Sequence, residues 1–291
     1  MMSAATRTQL ARWQALLVLV FGGGMAQAAG VVAALAAAAI LMVSGAGSFE
    51  ALSRSFTVIG AGAMGVGLTL LVVSLVTPLV FRVNIREALG LRRPPLLATL
   101  ATMLGVLALG PTSELFVRGM KHIAPRWTFD TLGMLDSIIQ TTPAWVLWPI
   151  LALSPGICEE FFFRGMVQRA FGRGVAAVTV SAITFSMFHL DPHHVVGVLP
   201  IGFYLAWVAA RTGSTWVTVI AHVLNNSASI FAAKLLVEDP ASKDEPTAWW
   251  VVAIGLVIAA GTVVAILRVT RQNSASSLSA PSAPSASSPP L

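Results

Sequence analysis

The sequence predicts an all-α, polytopic bundle of about eight membrane-spanning helices, since each span needs about 20 apolar residues. Three observations carry that expectation. Hydrophobic residues make up 56% of the 291-residue chain, charged residues make up 10% where soluble domains carry roughly 25%, and the mean hydropathy is +0.81. The charge-free runs are apolar on every side and rich in Ala, Leu and Val, whereas a closed barrel would alternate along short strands.

The runs fall at 13–49, 55–81, 94–113, 137–158, 174–190, 195–210, 212–233 and 246–267. In the first, Arg7 and Arg12, the stretch Leu16 to Phe21 and Ala26-Gln27-Ala28 imitate a cleavable leader. Apolar sequence continues from Val31 to Val43, so the run reads as one uncleaved, tilted span softened by Gly22, Gly23 and Gly24. Asn84 to Pro95 has a helical Arg/Glu pattern ended by two prolines and is expected at the membrane interface. Glu114 to Asp136 mixes charge with Trp127 and Phe129 and reads as an external loop or interfacial helix. Ser274 to Leu291 is Ser, Ala and Pro without charge and cannot bury a core. The chain thus divides into N-terminal helices with interfacial segment and loop (1–142), a polar-site helix bundle (143–270) and a disordered tail (271–291).

One cysteine, Cys158, excludes an intramolecular disulfide and a cysteine-only metal cluster. The net charge of +6 comes from residues beside the apolar runs, not from a basic stripe, which argues against nucleic acid as partner and for membrane lipid. If the N-terminus is cytoplasmic, twelve basic residues (Arg7, Arg12, Arg82, Arg86, Arg92, Arg93, Arg164, Arg169, Arg173, Arg211, Arg268, Arg271) fall inside and six (Arg54, Arg118, Lys121, Arg126, Lys234, Lys243) outside. That bias predicts both termini in the cytoplasm. High Ala content and the Ser/Pro tail point to a bacterial inner membrane.

Ionisable groups inside apolar spans cost roughly 2.5 to 3.5 kcal/mol each at mid-membrane, so the few present are informative. After Pro155-Gly156, where a helix break is expected, come Glu159, Glu160 and Arg164. Glu160 and Arg164 are four apart with Glu first, the favourable order for an ion pair. Glu159 points about 100° away and stays free to act as a general base. Phe185 and His189 share that spacing, so the ring can buttress the imidazole, and His189 precedes Asp191-Pro192-His193-His194, an interfacial pattern. His222 and Asn226 repeat it within a span and must face the bundle interior or a wet cavity. Together the groups offer a base, polarising imidazoles and an amide donor for an oxyanion, or three ligands (Glu159, His189, His222) for a catalytic zinc with one open position. Glu114-Leu-Phe-Val-Arg118-Gly-Met120 copies Glu160-Phe-Phe-Phe-Arg164-Gly-Met166 at five of seven positions, but Ser113 stands where the second acid would be, so it reads as an interfacial ion pair.

Glu-Glu-x-x-x-Arg at 159–164, Phe-x-x-x-His at 185–189 and His-x-x-x-Asn at 222–226 resemble, in order and spacing, the three motifs of the CAAX prenyl endopeptidase and bacteriocin-processing (CPBP) family of intramembrane proteases. The resemblance covers about 155–235 and implies a helical membrane endopeptidase with a polar intramembrane cavity that admits water and a membrane-associated protein or peptide substrate. It implies that Glu159 and His189 activate the water, that His222 and Asn226 stabilise the oxyanion, and that Glu160, Arg164 and Phe185 support them. Family members are often called metalloproteases and a metal-free mechanism is also argued, so zinc and no cofactor both stand open. A catalytically silent scaffold or immunity protein of the same fold is the first alternative. A small-solute transporter is the second, although no inverted repeat is detectable.

Overall fold

Runs of Ala, Leu, Val and Gly leave no backbone polar group to water, and in the computed structural model they satisfy those groups internally as helices. The structure describes residues 7–125, 127, 130–235 and 247–279, with 273–279 as backbone only. The helices are α1 (Arg12–Val43), α2 (Phe56–Val80), α3 (Leu96–Ile123), α4 (Thr131–Thr141), α5 (Ala144–Phe171), α6 (Val175–Met187), α7 (Pro192–Thr212), α8 (Thr215–Leu235) and α9 (Trp249–Ser279). Two helices of about one turn, Phe49–Ser53 and Ile85–Ala88, cap the bundle ends. Among the described residues there is no strand, only an isolated bridge between Arg7 and Val83. Among the described residues seven helices are long and apolar enough to cross a membrane, and the chain is a multi-pass integral membrane protein.

The eighth expected span, 174–190, is α6, whose 13 residues reach only about 20 Å against a hydrocarbon core of about 30 Å. Phe188 to Asp191 then reverse the chain into α7, which begins with an Asp191 cap and Pro192. Of the external loop or interfacial helix expected at Glu114 to Asp136, the loop is corrected, since the segment is helical up to Ile123 and again from Thr131. α3 runs on to Ile123 past an interruption at Leu109: its second half restarts at Gly110, so Pro111 sits in a first helical turn and gives up no hydrogen bond. After Trp127, α4 starts at Thr131 under an Asp130 cap. Phe129, Arg126 and Lys243 lie outside the described residues.

The break expected at Pro155-Gly156 is absent, and α5 is continuous from Ala144 to Phe171. It has widened π-type turns at Trp148–Leu153 and Glu160–Val167, which accommodate the proline ring without ending the helix. α9 likewise passes residue 271, where the tail was expected, to Ser279, because nothing stops it before Pro281; residues 280–291 lie outside the described residues.

Small residues let the helices approach. α1 and α2 cross where a Cβ on Gly65 would lie 2.8 Å from the Ala29 carbonyl oxygen, a contact only glycine permits. One bundle end gathers basic residues. There Arg169 donates to the carbonyls of Glu87 (2.8 Å) and Gly213 (3.3 Å), and Thr215 donates to those of Gly90 (backbone N–H, 3.0 Å) and Leu89 (hydroxyl, 2.6 Å). The segment 84–95 thereby plugs that end, with Leu89 fully buried.

Candidate active site

The site starts from an orphaned carbonyl. Pro155 has no N–H to give the Leu151 carbonyl four residues back, and the side-chain amide of Asn226 on α8 supplies one instead at 3.2 Å. Trp148 Nε1 donates to Ser227 Oγ at 2.9 Å one turn higher. Gly156 completes the seam, since a Cβ there would lie 3.0 Å from the backbone nitrogen of Val223. With α5 and α8 so close, Glu160 meets His222.

Glu160 and Arg164 are buried with fully inaccessible side chains. Glu160 Oε1 accepts from Arg164 Nη1 at 2.9 Å, the expected pair, and from His222 Nδ1 at 2.9 Å. Arg164 also donates to the Gly202 carbonyl at 3.3 Å and lies 3.9 Å above the Phe185 ring. The cation is thus held by a carboxylate, a carbonyl and an aromatic face, which is what keeps a buried charge tolerable. Phe185 also touches His189 (ring centroids 5.2 Å) and His222 (5.8 Å), both edge to face. It therefore contacts three of the polar groups at once.

Glu159 takes the opposite course from its neighbour. Among the described residues its carboxylate makes no hydrogen bond, and it lines a cavity of about 560 Å³ together with Phe185, His189, His222 and Asn226. His189 Nδ1 lies 3.1 Å from the Phe185 carbonyl. A carbonyl can only accept, so Nδ1 carries the proton and Nε2 keeps its lone pair. His222 is oriented by the same logic, with a carboxylate as acceptor. Asn226 has a second amide N–H beyond the one given to Leu151.

The same cavity is lined by Gln27, Glu114, Asp136 and His194, none of which the sequence assigned to the site. The Glu114–Arg118 pair expected there forms at 2.7 Å, and Glu114 also accepts from the Thr247 hydroxyl. His194 had a faint signal, since Asp191-Pro192 marks a helix start and places His194 in its first turn.

Zinc has no three-ligand site in this arrangement: among the described residues no three His, Cys, Asp or Glu side chains stand so as to hold a metal ion.

Comparison with known proteins follows the same segment. Residues 141–228 match the model of the family described as type II CAAX prenyl endopeptidase Rce1-like. A protein of Bacillus subtilis (strain 168) with the provisional name membrane peptidase YdiL is 29% identical over 101 residues. That alignment covers 34% of this chain and 40% of the relative, so the chain spans less than half of the relative's length. No solved structure matches. The segment that brings Glu159, His189, His222 and Asn226 to one cavity is therefore the one, residues 141–228, that is similar to the type II CAAX prenyl endopeptidase Rce1-like family.

Proposed function

We propose that the protein is an intramembrane endopeptidase that hydrolyses a peptide bond of a membrane-associated protein or peptide, with no step that requires a metal. The observation that carries this reading is the cavity wall that an unpaired Glu159 shares with two oriented imidazoles and an amide drawn from α8 and the turn after α6. Such groups, held by surrounding bonds and facing one volume, are what proton transfer and oxyanion stabilisation need.

In this mechanism Glu159, with His189 Nε2 beside it, takes a proton as a cavity water attacks the substrate carbonyl carbon. The carbonyl oxygen becomes an oxyanion and accepts from the remaining Asn226 N–H and from Nε2–H of His222. His222 can give that second proton only as an imidazolium, and Glu160 is its counter-ion. As the C–N bond breaks, Glu159 returns its proton to the leaving nitrogen. A bacterial inner membrane is the setting, with the basic end of the bundle on the cytoplasmic face; both termini share that face only if the short α6, with the Phe188 to Asp191 turn, counts as an eighth crossing beside the seven longer helices.

The test is cleavage of a reporter peptide by purified protein in bilayers. Glu159→Gln keeps the shape but cannot take the proton, and should lower kcat by about a hundredfold to ten-thousandfold with thermal stability preserved. Equal cleavage by wild type and variant would remove Glu159 from the chemistry. No cleavage by either would favour the scaffold.

A further inference from the structure

His194 belongs to none of the three motifs, yet it lines the same cavity as Glu159, and its ring lies 4.3 Å from that of His189, centroid to centroid, tilted by 57°. Behind it is a buried anchor. Asp191 is fully buried and accepts from Thr131 N (2.9 Å), Thr131 Oγ1 (2.6 Å) and His193 N (3.0 Å). A carboxylate has no proton to offer, so the single hydroxyl proton of Thr131 goes to Asp191. The longer contact between Thr131 Oγ1 and His194 Nδ1, 3.4 Å, then has His194 as donor. His194 consequently carries its proton on Nδ1 and leaves Nε2 as an acceptor, as the Phe185 carbonyl does for His189.

Two rings with acceptor Nε2 atoms cannot hydrogen-bond to each other through those atoms. Their contact is one of packing, and it limits how far the His189 ring can turn about its single anchor on Phe185. The chain of contact therefore runs from α4, through Thr131 and Asp191, to His194 and on to the imidazole facing Glu159.

We propose that His194 is a positioning residue, one that holds the His189 ring so that Nε2 stays directed into the cavity. This rests on His189 acting with Glu159 on the water. His194→Ala removes the ring contact, whereas His194→Phe keeps a ring against His189 and gives up only the Thr131 bond. In reporter cleavage His194→Ala should lose about tenfold to a hundredfold in kcat, the scale of a misplaced catalytic group, with KM little changed. His194→Phe should recover most of that loss. The second readout needs no turnover: the ¹⁵N spectrum of His189 should report one tautomer in wild type and in His194→Phe, and a mixture in His194→Ala. If wild type cleaves nothing while His194→Ala still releases the tautomer, the positioning role stands and the proteolytic reading falls. An unchanged His189 signal in His194→Ala overturns the positioning role, whatever happens to kcat.

Discussion

Two segments of this protein share five of seven residues and behave as different objects. Glu160 to Met166 and Glu114 to Met120 both set a Glu four residues before an Arg, and both pairs close, at 2.9 and 2.7 Å. The first has side chains with no exposure; the second has 43% of Glu114 and 29% of Arg118 in the open. Around the first stand His222, the Gly202 carbonyl and the Phe185 ring, and one residue earlier a second acid opens onto the cavity. Around the second, Thr247 adds a hydroxyl to Glu114, and Ser113 replaces the acid. The Glu-Arg spacing makes an ion pair in either place. A neighbouring acid and a histidine from another helix are what turn one of them into a candidate site.

Breaking each pair should separate them most plainly. Glu160→Gln leaves Arg164 buried beside a neutral group and frees His222, so it should cost about 3 to 5 kcal/mol of stability, read as a fall in thermal unfolding temperature and in folded yield. Activity should fall with it, unlike Glu159→Gln, which spares the fold; matching profiles for the two variants would erase the division between the acids.

The next effect concerns what only the first segment possesses, a helix mended by its neighbour. Asn226→Ala orphans the Leu151 carbonyl and should cost about 1 to 3 kcal/mol. Pro155→Ala restores an N–H within reach, so the double variant should regain stability while staying slow in cleavage. If stability is not regained, the Asn226 bond to Leu151 is not what holds α5 to α8. If cleavage returns as well, Asn226 serves only the helix and not the oxyanion.

Glu114→Gln should be milder, within about 1 kcal/mol, because a half-exposed pair is exchanged for water. A loss as large as that of Glu160→Gln would mean the second segment is no mere interfacial pair.

The smallest effect belongs to the basic end. There the Arg92 hydrogen bond holds the Glu87 carboxyl below the usual carboxylate range, with side chains 39% and 52% exposed for Glu87 and Arg92. Its folded affinity for protons is lowered, so the pair's contribution is present above the unfolded carboxylate range and lost as pH falls through the folded one. The stability gap between wild type and Glu87→Gln should therefore be a fraction of a kcal/mol near neutral pH, by the scale of about 0.2 to 1 kcal/mol for exposed pairs, and vanish in acid. A gap that widens on acidification would contradict this.

How much of this could be read from residues alone follows from the range of each interaction. The spans were legible because hydropathy is local, and the Glu160–Arg164 pair because four residues along a helix bring two side chains together. α5 was misread at Pro155, where a proline that could end a helix instead sits between widened turns, and α3 was cut short at the first charge, Glu114, although the helix runs on to Ile123. The Glu160–His222 bond spans 62 positions, and the Asp191–Thr131 bond 60, with no period or motif to pair them. His194 stayed hidden for the same reason, since its meaning comes from Thr131 on another helix.

The reversal between α6 and α7 carries a mechanical consequence. Only Phe188, His189, Leu190 and Asp191 connect the two helices, and Leu190 is already bent into the left-handed region at φ +62°. Such a conformation costs a branched, non-glycine residue about 1 to 2 kcal/mol, so the link is taut, with no spare length to take up sliding. The two helices are consequently coupled like limbs on a locked elbow, and the imidazole of His189 rides on the joint itself. Any tilt of α7 against the rest of the bundle is delivered as rotation at that ring, with no slack loop in between to absorb it.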